Sequence, residues 1–388
     1  MDIMVIPFHD WRKSEKEGFR TRDVHFIRAL ANDKFSNRIL VINRPITKLE
    51  LVYKGFKKRL KGNLVLKDGR CTLTQIDNNI FVVDYHSKDI LGQALHRFKW
   101  FIDTYDKESY KKFIMEACEY LKFENPALVS QNIFAHKLAV SLSASSKVFD
   151  AWDNFLKFPG YAHLKKELIR GYALTSEEIA NWITNSNENI AFYKQNFNVK
   201  HIELLKNGVK GNFAEGKVNL PEDLKLIKRP WVGFGGKISY LINTELINFI
   251  TLDNPNSSFV FVGQILDKHV YKKIIKRKNV YFLGDKKYDV YPNYVRSFDI
   301  CIIPYNIKKK QHGGDSMKAY EYLLAGKKVV GTNGNGLEDL TEHVYVVDTK
   351  EDFSKELSKM KNEKLPLDIN NHSWASKARK LLLFLQKN

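Results

Sequence analysis

Short apolar runs alternate along the chain with segments in which apolar residues recur every three or four positions. The short runs are typical of buried strands, and the longer recurrences are typical of amphipathic helices. In the first half, strands are predicted at residues 3–8, 38–42, 80–83, 128–130, 147–150 and 171–175. Helices are predicted at residues 18–33, 90–123 and 136–143. Ser176, followed by Glu177 and Glu178, predicts the start of another helix, with a hydroxyl cap and an acidic first turn. This alternation indicates a parallel sheet covered by helices on both faces.

The alternation begins again after residues 206–229, a polar stretch with glycines and a proline that is interpreted as a linker. Strands are predicted at residues 231–234, 258–262, 280–283, 300–303, 328–331 and 344–347. Helices are predicted at residues 240–252, 268–277, 292–297, 316–325 and 352–361, with a terminal amphipathic helix at 373–386. The expected fold is α/β, with two doubly wound, Rossmann-like domains that face a cleft. Open sheets of this kind bind ligands beyond the carboxyl ends of their strands.

The composition agrees with two folded domains and indicates which class of partner the protein binds. A chain of 388 residues, of which 44% are hydrophobic, can form more than one core. The 63 Lys and Arg residues against 44 Asp and Glu residues give a formal net charge of +19. Such an excess favours an anionic partner: nucleic acid, a lipid headgroup or a phosphorylated small molecule.

Cysteine usage and hydropathy indicate the compartment. Cys71, Cys118 and Cys301 lack metal-ligand spacing, and their odd number argues against a disulfide scaffold. The first residues lack the basic start and apolar core of a signal peptide, and no apolar run reaches the length of a membrane span. We therefore expect a cytoplasmic protein, either soluble or peripheral on the inner face of the cell membrane.

A glycine loop follows the first strand of the second domain. Gly233, Gly235 and Gly236 are followed by Lys237, just before the predicted helix at 240–252. Glycine lets backbone N–H groups approach a phosphate, and a helix N-terminus adds favourable partial charge. Lys237 could then neutralise a diphosphate. The alternative is an ordinary tight turn, because the loop matches neither G-x-G-x-x-G nor a Walker P-loop.

A second glycine-rich loop, at residues 312–314, precedes the predicted helix at 316–325. Asp315 or Ser316 could cap this helix. Lys318 and the free N–H groups of the first turn would suit a phosphate. Glu321 lies one turn later on the same face and could accept hydrogen bonds from a ribose diol. The alternative is that Lys318 and Glu321 form an ordinary surface ion pair.

Several segments, in their order along the chain, resemble GT-B glycosyltransferases of the family 4-like, group 1 type. H-G-G-D-S-M-K-A-Y-E-Y-L-L-A-G-K-K-V-V at residues 312–330 is similar to the nucleotide-sugar-binding helix of that family. The other similar segments are K-N-G-V at 206–209, W-V-G-F-G-G-K-I-S at 231–239, F-V-F-V-G at 259–263, N-V-Y-F-L-G at 279–284, F-D-I-C-I-I-P-Y at 298–305 and H-S-W at 372–374.

The resemblance implies a reaction and a division into domains. A sugar would move from a nucleotide diphosphate donor, with UDP preferred through the resemblance alone, to a glycan or lipid-linked acceptor in the synthesis of cell-surface polysaccharide or glycoconjugate. Residues 1–205 would form an acceptor-binding domain, 206–229 a linker and 230–371 the nucleotide-sugar-binding domain. The terminal segment 372–388 would pack back on the first domain.

The resemblance also implies which residues bind the donor. They are Gly235, Gly236, Lys237, Tyr305, Ser316, Met317, Lys318 and Glu321. Many retaining members carry E-x7-E, whereas here the position eight residues before Glu321 is Gly313. The D-S-M-K segment at 315–318 is closer to xanthan-type glucuronosyltransferases, which invert. No Asp-x-Asp motif occurs, so the sequence implies neither a catalytic metal nor a cofactor besides the donor.

An inverting transfer needs a general base at the acceptor hydroxyl. By the same resemblance Asp150, which ends a predicted strand, is the candidate base, and Asp153 is the reserve. The alternative is that Asp150 only caps the following helix. Contacts with the acceptor or a donor phosphate are also expected at His9, Arg22 and His25, with solvated surface as the alternative because charged residues are mostly exposed.

Two segments suggest a membrane surface. The first begins at Leu49 and ends at Lys61, and the second begins at Leu95 and ends at Phe123. Both mix large apolar side chains with Lys and Arg, and basic amphipathic helices bind anionic lipid interfaces. The alternative in each case is a solvated basic face over a packed core.

Two other functions stay open. A GT-B-fold sugar-nucleotide epimerase would need further acid–base carboxylates and histidines near the glycine loops. A nucleic-acid-binding protein would fit the net charge. However, the sequence contains no recognised nucleic-acid-binding motif, and its basic residues are spread over both halves.

Overall fold

The computed structural model describes residues 1–214, 216–306 and 314–386. The chain divides into two compact units. Unit 1 comprises Met1–Lys206 together with Trp374–Asn388, and unit 2 comprises Asn207–Ser373. Each unit has its own cluster of buried apolar side chains.

Unit 1 contains a mostly parallel sheet. Its described strands are β1 (Ile3–Ile6), β2 (Ile39–Ile42), β3 (Ile46–Thr47), β4 (Asn63–Asp68), β5 (Cys71–Asp77), β6 (Ile80–Ser87), β7 (Ala127–Ser130), β8 (Lys147–Asp150), β9 (Asn181–Thr184) and β10 (His201–Leu204). The order is β10-β9-β8-β7-β1-β2-β6-β5-β4, with β3 beside β6. Among these strands only β4–β5 and β5–β6 pair antiparallel. The carboxyl ends of β1, β2, β6, β7 and β8 therefore lie at one edge.

The helices of the first part of unit 1 connect these strands. They are α1 (Trp11–Lys16), α2 (Arg22–Ala31), α3 (Lys48–Lys54), α4 (Ile90–His96), α5 (Phe98–Tyr105), α6 (Glu108–Tyr120), α7 (His136–Ser141), α8 (Lys165–Glu178) and α9 (Asn187–Asn196). Several begin at a side chain that accepts backbone N–H groups, as Asp10 does for α1 and Thr47 for α3. The hydrogen-bonding side chain therefore fixes where each of these helices starts.

The predicted strand at 171–175 is wrong. These residues lie inside α8, and Ser176 is near the end of this helix, not at the start of another. Tyr172 and Thr175 are buried at helical spacing, and the Thr175 hydroxyl donates to the carbonyl oxygen of Gly171 at 2.7 Å. A five-residue apolar run thus marks the buried face of a helix here.

The long helix predicted at 90–123 is three helices, α4, α5 and α6. Arg97, at φ +47°, separates the first two. Five aromatic side chains of α5 and α6 are buried in the core of unit 1: Trp100, Phe101, Tyr105, Tyr110 and Phe113. For these aromatics the predicted membrane surface is wrong, because they pack inward and the packed-core alternative holds.

Unit 2 contains a parallel sheet. Its described strands are β11 (Trp231–Gly235), β12 (Ser258–Val262), β13 (Val280–Gly284), β14 (Ile300–Ile303), β15 (Lys328–Thr332) and β16 (Tyr345–Val347), in the order β13-β12-β11-β14-β15-β16. The helices are α10 (Glu222–Lys225), α11 (Thr244–Asp253), α12 (Lys268–Lys273), α13 (Tyr291–Ser297), α14 (Met317–Leu324), α15 (Lys350–Ser358) and α16 (Ile369–His372). Strands were predicted at all six positions.

One helix of unit 2 begins later than predicted. The helix expected at 240–252 is α11, which starts at Thr244 with the Asn243 side chain as its N-cap. Its N-terminus is therefore separated from the glycine loop that ends β11.

The last described helix, α17 (Trp374–Gln386), belongs to unit 1 and packs on α2. The Trp374 ring stacks on His25 with 4.8 Å between centroids, and Arg379 Nε donates to Asp33 at 2.9 Å. Among the described residues, none of the helices has both the length and the apolar character needed to cross a bilayer.

Candidate functional site

The sheet of unit 2 has a topological switch point between β11 and β14. The chain continues from β11 to β12 on one side and from β14 to β15 on the other. Open α/β sheets bind ligands at such a point, outside the carboxyl ends of the strands. The predicted donor residues Gly235, Gly236 and Lys237 end or follow β11, and Tyr305 follows β14.

The glycine loop approaches Lys318 of α14 closely. Gly236 has φ +146°, and a Cβ added there would lie 3.0 Å from Lys318 Cε. A Cβ at Gly235 would lie 1.8 Å from the hydroxyl oxygen of Tyr291. Both positions therefore require glycine. Gly236 requires it because of its backbone conformation and its contact with Lys318, and Gly235 requires it because Tyr291 packs against it.

Two N–H groups of this loop are already engaged. The Gly235 N–H donates to the Tyr322 hydroxyl at 2.7 Å, and the Gly236 N–H donates to the Val262 carbonyl at 2.8 Å. Both N–H groups therefore have protein partners, and phosphate binding at Gly235 and Gly236 stays a prediction. Lys237 is half-buried and stays a candidate.

Lys318 lies in the first turn of α14 between aromatic rings. Its Nζ donates to the Tyr305 hydroxyl and lies 4.8 Å from the Tyr305 ring centroid and 5.6 Å from that of Phe234. Aromatic faces attract a cation, so they hold the ammonium group in place. The N-terminus of α14 adds partial positive charge. This combination attracts a diphosphate.

The residues before α14 are fixed by hydrogen bonds. The Asp315 carboxylate accepts the Asn207 N–H and the Tyr320 hydroxyl, both at 2.7 Å. Ser316 is the N-cap residue, but neither it nor Asp315 caps the helix through its side chain as predicted. The Ser316 hydroxyl is buried and lacks a hydrogen-bond partner among the described residues, and Met317 is half-buried. Ser316 is therefore a polar group available to a ligand.

Glu321 is buried, with 6% of its surface exposed. The Tyr288 hydroxyl donates to its Oε1 at 2.6 Å, and Lys210 Nζ lies 5.1 Å from the Tyr288 ring centroid. The alternative of a surface ion pair with Lys318 is wrong, because the carboxylate is not at the surface. A buried carboxylate needs hydrogen-bond donors, and the hydroxyls of a ribose are suitable donors.

In unit 1, Asp150 at the end of β8 forms a buried ion pair with Arg22 of α2. Arg22 donates through Nε and Nη2 to the two carboxylate oxygens, both at 3.0 Å, and Gln131 donates at 2.8 Å. Asp150 is 1% exposed. The alternative that Asp150 only caps the following helix is wrong, because Asn154 caps the turn that follows β8. The role of Asp150 as a base stays a prediction. A base accepts the proton on a carboxylate oxygen, and both oxygens of Asp150 already accept hydrogen bonds from Arg22 or Gln131.

A second carboxylate at this edge of the sheet orients a histidine. His9 Nδ1 lies 2.9 Å from Oδ2 of Asp23, and the His9 backbone N–H donates to the same oxygen at 2.8 Å. Burial would raise the pKa of Asp23, but the charge and hydrogen bonds of His9 outweigh it and hold the pKa well below its usual range. The His9 ring is 14% exposed and packs against Phe8 and Trp152.

No protein-family model matches the sequence. The putative teichuronic acid biosynthesis glycosyltransferase TuaH of Bacillus subtilis (strain 168) is 27% identical over 136 residues, which are 34% of this chain and 34% of that protein. The chain thus matches about a third of the length of this curated relative.

Two solved structures match over the whole chain. HepE of Anabaena, in complex with UDP and glucose, covers 99% of this chain and 95% of its own, with a TM-score of 0.62 and 14% identity. An α,α-trehalose-phosphate synthase (UDP-forming) from Burkholderia vietnamiensis covers 100% of this chain and 98% of its own, with a TM-score of 0.64 and 10% identity. The chain has the GT-B glycosyltransferase fold. The fold expected from the sequence is confirmed.

Two residues expected to contact the acceptor are buried inside unit 1, and their role stays a prediction. Arg22 is 4% exposed, and beside its ion pair it donates to the Leu205 carbonyl at 2.9 Å. His25 is 2% exposed and stacks on Trp374. Both side chains pack inside unit 1. Asp153 is half-buried, and its role as the reserve base stays a prediction.

Part of the second glycine-rich loop lies outside the described residues. His312 and Gly313 fall in residues 307–313, outside the described residues. Within the described ranges, His, Cys, Asp and Glu side chains do not form a group of three or more that could hold a metal ion.

Spacing along the sequence does not identify the residues that position the candidate side chains within each unit. Tyr288 orients Glu321, and Tyr322 bonds the glycine loop. Asp23 orients His9. Each of these partners comes from another element, so spacing along one helix or strand does not reveal it.

Proposed function

We propose that this GT-B chain is a glycosyltransferase that moves a sugar from a UDP-sugar to a glycan or lipid-linked acceptor, in the synthesis of cell-surface polysaccharide or glycoconjugate. The observation that carries the donor part is the meeting of Gly236, Lys318 and the N-terminus of α14 at the switch point of unit 2. UDP is supported by the structural neighbours that are described with UDP or as UDP-forming. The polysaccharide is supported by the name of the Bacillus relative.

Each donor residue has a distinct task in this proposal. Lys318, held by Tyr305, binds the diphosphate and stabilises the charge that develops on it as it leaves. The buried Ser316 hydroxyl donates to a phosphate oxygen. Glu321, oriented by Tyr288, accepts the ribose hydroxyls. No step of the proposal uses a metal ion.

The acceptor hydroxyl must lose a proton when its oxygen bonds to the sugar carbon and the bond from that carbon to the diphosphate breaks. Asp150 and His9 are the two candidate bases in unit 1. Nδ1 of His9 faces Asp23, so the neutral ring donates from Nδ1 and leaves Nε2 as an acceptor. A base oriented by a buried carboxylate fits the task better than a carboxylate whose oxygens are occupied, and we assign the proton to His9.

The buried cysteines bear on the compartment. Cys71, Cys118 and Cys301 are all free and buried. Free thiols suit the reducing cytoplasm, which we keep as the proposed location of the enzyme.

Nucleotide-induced thermal stabilisation tests the donor site. UDP should raise the melting temperature of the wild-type protein more than GDP, dTDP or CMP do, because only the native state binds it. Lys318→Ala and Glu321→Ala should abolish the shift, whereas Lys272→Ala, an exposed lysine of α12, should retain it. A shift that survives in both site variants would refute this donor site.

The reaction is tested by following UDP release from a UDP-sugar with and without glycan acceptors. Acceptor-dependent release supports transfer. Conversion of the donor to an epimer without release would instead establish the epimerase alternative.

A further inference from the structure

A groove of about 1190 Å³ lies in unit 1. Its lining residues all fall within 48–88, in α3, the following loop, the β4–β5 hairpin and the end of β6. They include six basic residues and no Asp or Glu: Lys48, Lys58, Arg59, Lys67, Arg70 and Lys88. The groove is therefore suited to an anion.

The same groove carries exposed apolar side chains. Leu51 and Phe56 line its inner part, while Val52 is 72% exposed and Leu64 is 50% exposed. The neighbouring Tyr53 is 86% exposed. Large apolar side chains concentrated beside cations mark a contact surface and not ordinary solvated surface.

Arg12 of α1 holds the basic loop in place. Its Nε donates to the Lys57 carbonyl at 2.8 Å and its Nη2 to the Lys58 carbonyl at 2.6 Å. The guanidinium is also paired with the buried Asp84 carboxylate. The loop backbone is thus bound inward, while the side chains of Lys58 and Arg59 are exposed.

Gly62 joins this loop to the hairpin at very short range. It has φ +138°, and a Cβ there would lie 2.2 Å from the carbonyl oxygen of Gln75 in β5. Only glycine permits this approach. The loop after α3 and the β4–β5 hairpin therefore form two walls of the groove, and this close contact fixes the distance between them.

We propose that this groove binds the anionic headgroup of a phospholipid at a bilayer surface, with Val52 and Tyr53 entering the interface. The basic side chains attract the phosphate of the headgroup, and the exposed apolar side chains are removed from water when they enter the bilayer interface. A phospholipid surface therefore interacts with both kinds of side chain. A soluble inorganic phosphate, which has no apolar part, would use only the cations. The proposal does not depend on the donor site, because every lining residue belongs to unit 1.

Vesicle co-sedimentation of the full chain tests the proposal. The protein should bind phosphatidylglycerol vesicles and not phosphatidylcholine vesicles. Each basic side chain near an anionic surface is worth about 1 kcal/mol, or about fivefold in binding, so Lys67→Ala with Arg70→Ala should weaken binding about 30-fold. Equal binding to both kinds of vesicle, or to neither, would overturn the proposal.

A matched control separates the groove from net charge. Lys272→Ala with Lys273→Ala removes the same charge from exposed positions of α12 in unit 2 and should change binding less than twofold, because these residues are outside the groove. Equal losses in the two double variants would mean diffuse attraction and would overturn the groove assignment.

Two further measurements identify the source of the phosphate and the role of the apolar residues. Val52→Ser with Tyr53→Ser should weaken vesicle binding while the protein keeps its melting temperature, because both side chains are exposed. Complete displacement of vesicles by inorganic pyrophosphate, or RNA binding lost in the Lys67 and Arg70 variant, would assign the groove to a soluble anion instead. UDP stabilisation should persist in every groove variant, so failure here leaves the donor site intact.

Discussion

One carboxylate oxygen of Asp23 accepts both the backbone N–H and Nδ1 of His9. The same side chain thus fixes the position of the loop after β1 and the orientation of the ring that this loop carries. A second oxygen of Asp23 accepts the Thr21 hydroxyl at 2.5 Å and the Val24 N–H at 3.0 Å, which holds the carboxylate at the start of α2. His9 is therefore positioned before any substrate arrives.

The first prediction concerns the base. His9→Ala should lower the transfer rate by about 10²–10⁴-fold, the usual contribution of a general base, without changing UDP stabilisation. Asp23→Asn should lower the rate and alter its pH profile, because the amide can stabilise the wrong ring tautomer.

Asp150→Asn is the competing test of the base. It removes the charge that neutralises the buried Arg22, so it should lower the melting temperature. A rate lost with Asp150→Asn at unchanged stability, together with a normal rate in His9→Ala, would return the role of base to Asp150.

The second prediction concerns Tyr288. Tyr288→Phe removes the hydroxyl that donates to Glu321 and leaves that buried oxygen one hydrogen bond short. A lost hydrogen bond to a buried carboxylate costs about 1–3 kcal/mol, so UDP affinity, measured by calorimetry, should fall by about 5- to 150-fold. Tyr281→Phe, on β13 in the same unit, is the control and should bind UDP normally.

The third prediction concerns Arg12. Arg12→Ala leaves Asp84 buried without its bidentate partner, and breaking a buried pair costs about 3–5 kcal/mol. Urea unfolding should show this loss. Arg12→Lys should recover part of it at most, because an ammonium group cannot reproduce the planar fork that also reaches two loop carbonyls. Wild-type stability in Arg12→Ala would contradict the role assigned to this residue.

The fourth prediction concerns pH. Burial would raise the pKa of Asp84, but hydrogen bonds from His86 and Arg12 outweigh it and lower the pKa below the ordinary 3.8. The unfolded chain therefore takes up this proton first as the pH falls, and the stabilisation is complete above 3.8 and is lost below it. The pKa of Asp10 shifts in the opposite direction, because burial raises it above the ordinary value.

Melting curves from about pH 7 to about pH 3 test the sign of this effect. Asp84→Asn should be less stable at neutral pH and should lose less on acidification than the wild type. A steeper acid loss in the variant would contradict the assignment.

Much of unit 2 could be predicted from the sequence because its four central strands are buried on both faces. Ile300–Ile303 and Ser258–Val262 occur at the predicted bounds, since a continuous apolar run between polar residues is typical of a central parallel strand. The hairpin of Asn63–Asp68 and Cys71–Asp77 was missed, because its first strand is largely exposed and lacks such a run. Residues 171–175 were wrongly predicted as a strand, because a short apolar run fits a strand or a buried helix face equally well.

The candidate site could be predicted only where its residues are neighbours in sequence. Lys318 and Glu321 lie one turn apart on α14, so their spacing alone places them on one face. Tyr288 lies 33 positions from Glu321, and Arg22 lies 128 positions from Asp150, so these contacts exist only in the folded chain. A resemblance to other proteins indicated roles, whereas burial and hydrogen bonding decide which side chains are available for them.

The return of the chain to unit 1 after unit 2 has a consequence for synthesis on the ribosome. The rings of His25 and Phe26 on α2 are covered by Trp374, which is translated only after the whole of unit 2. This apolar face of the nascent chain therefore stays uncovered while the ribosome adds more than 160 residues, from Asn207 to Ser373. The emerging polypeptide therefore exposes this apolar surface to unwanted association until translation reaches α17.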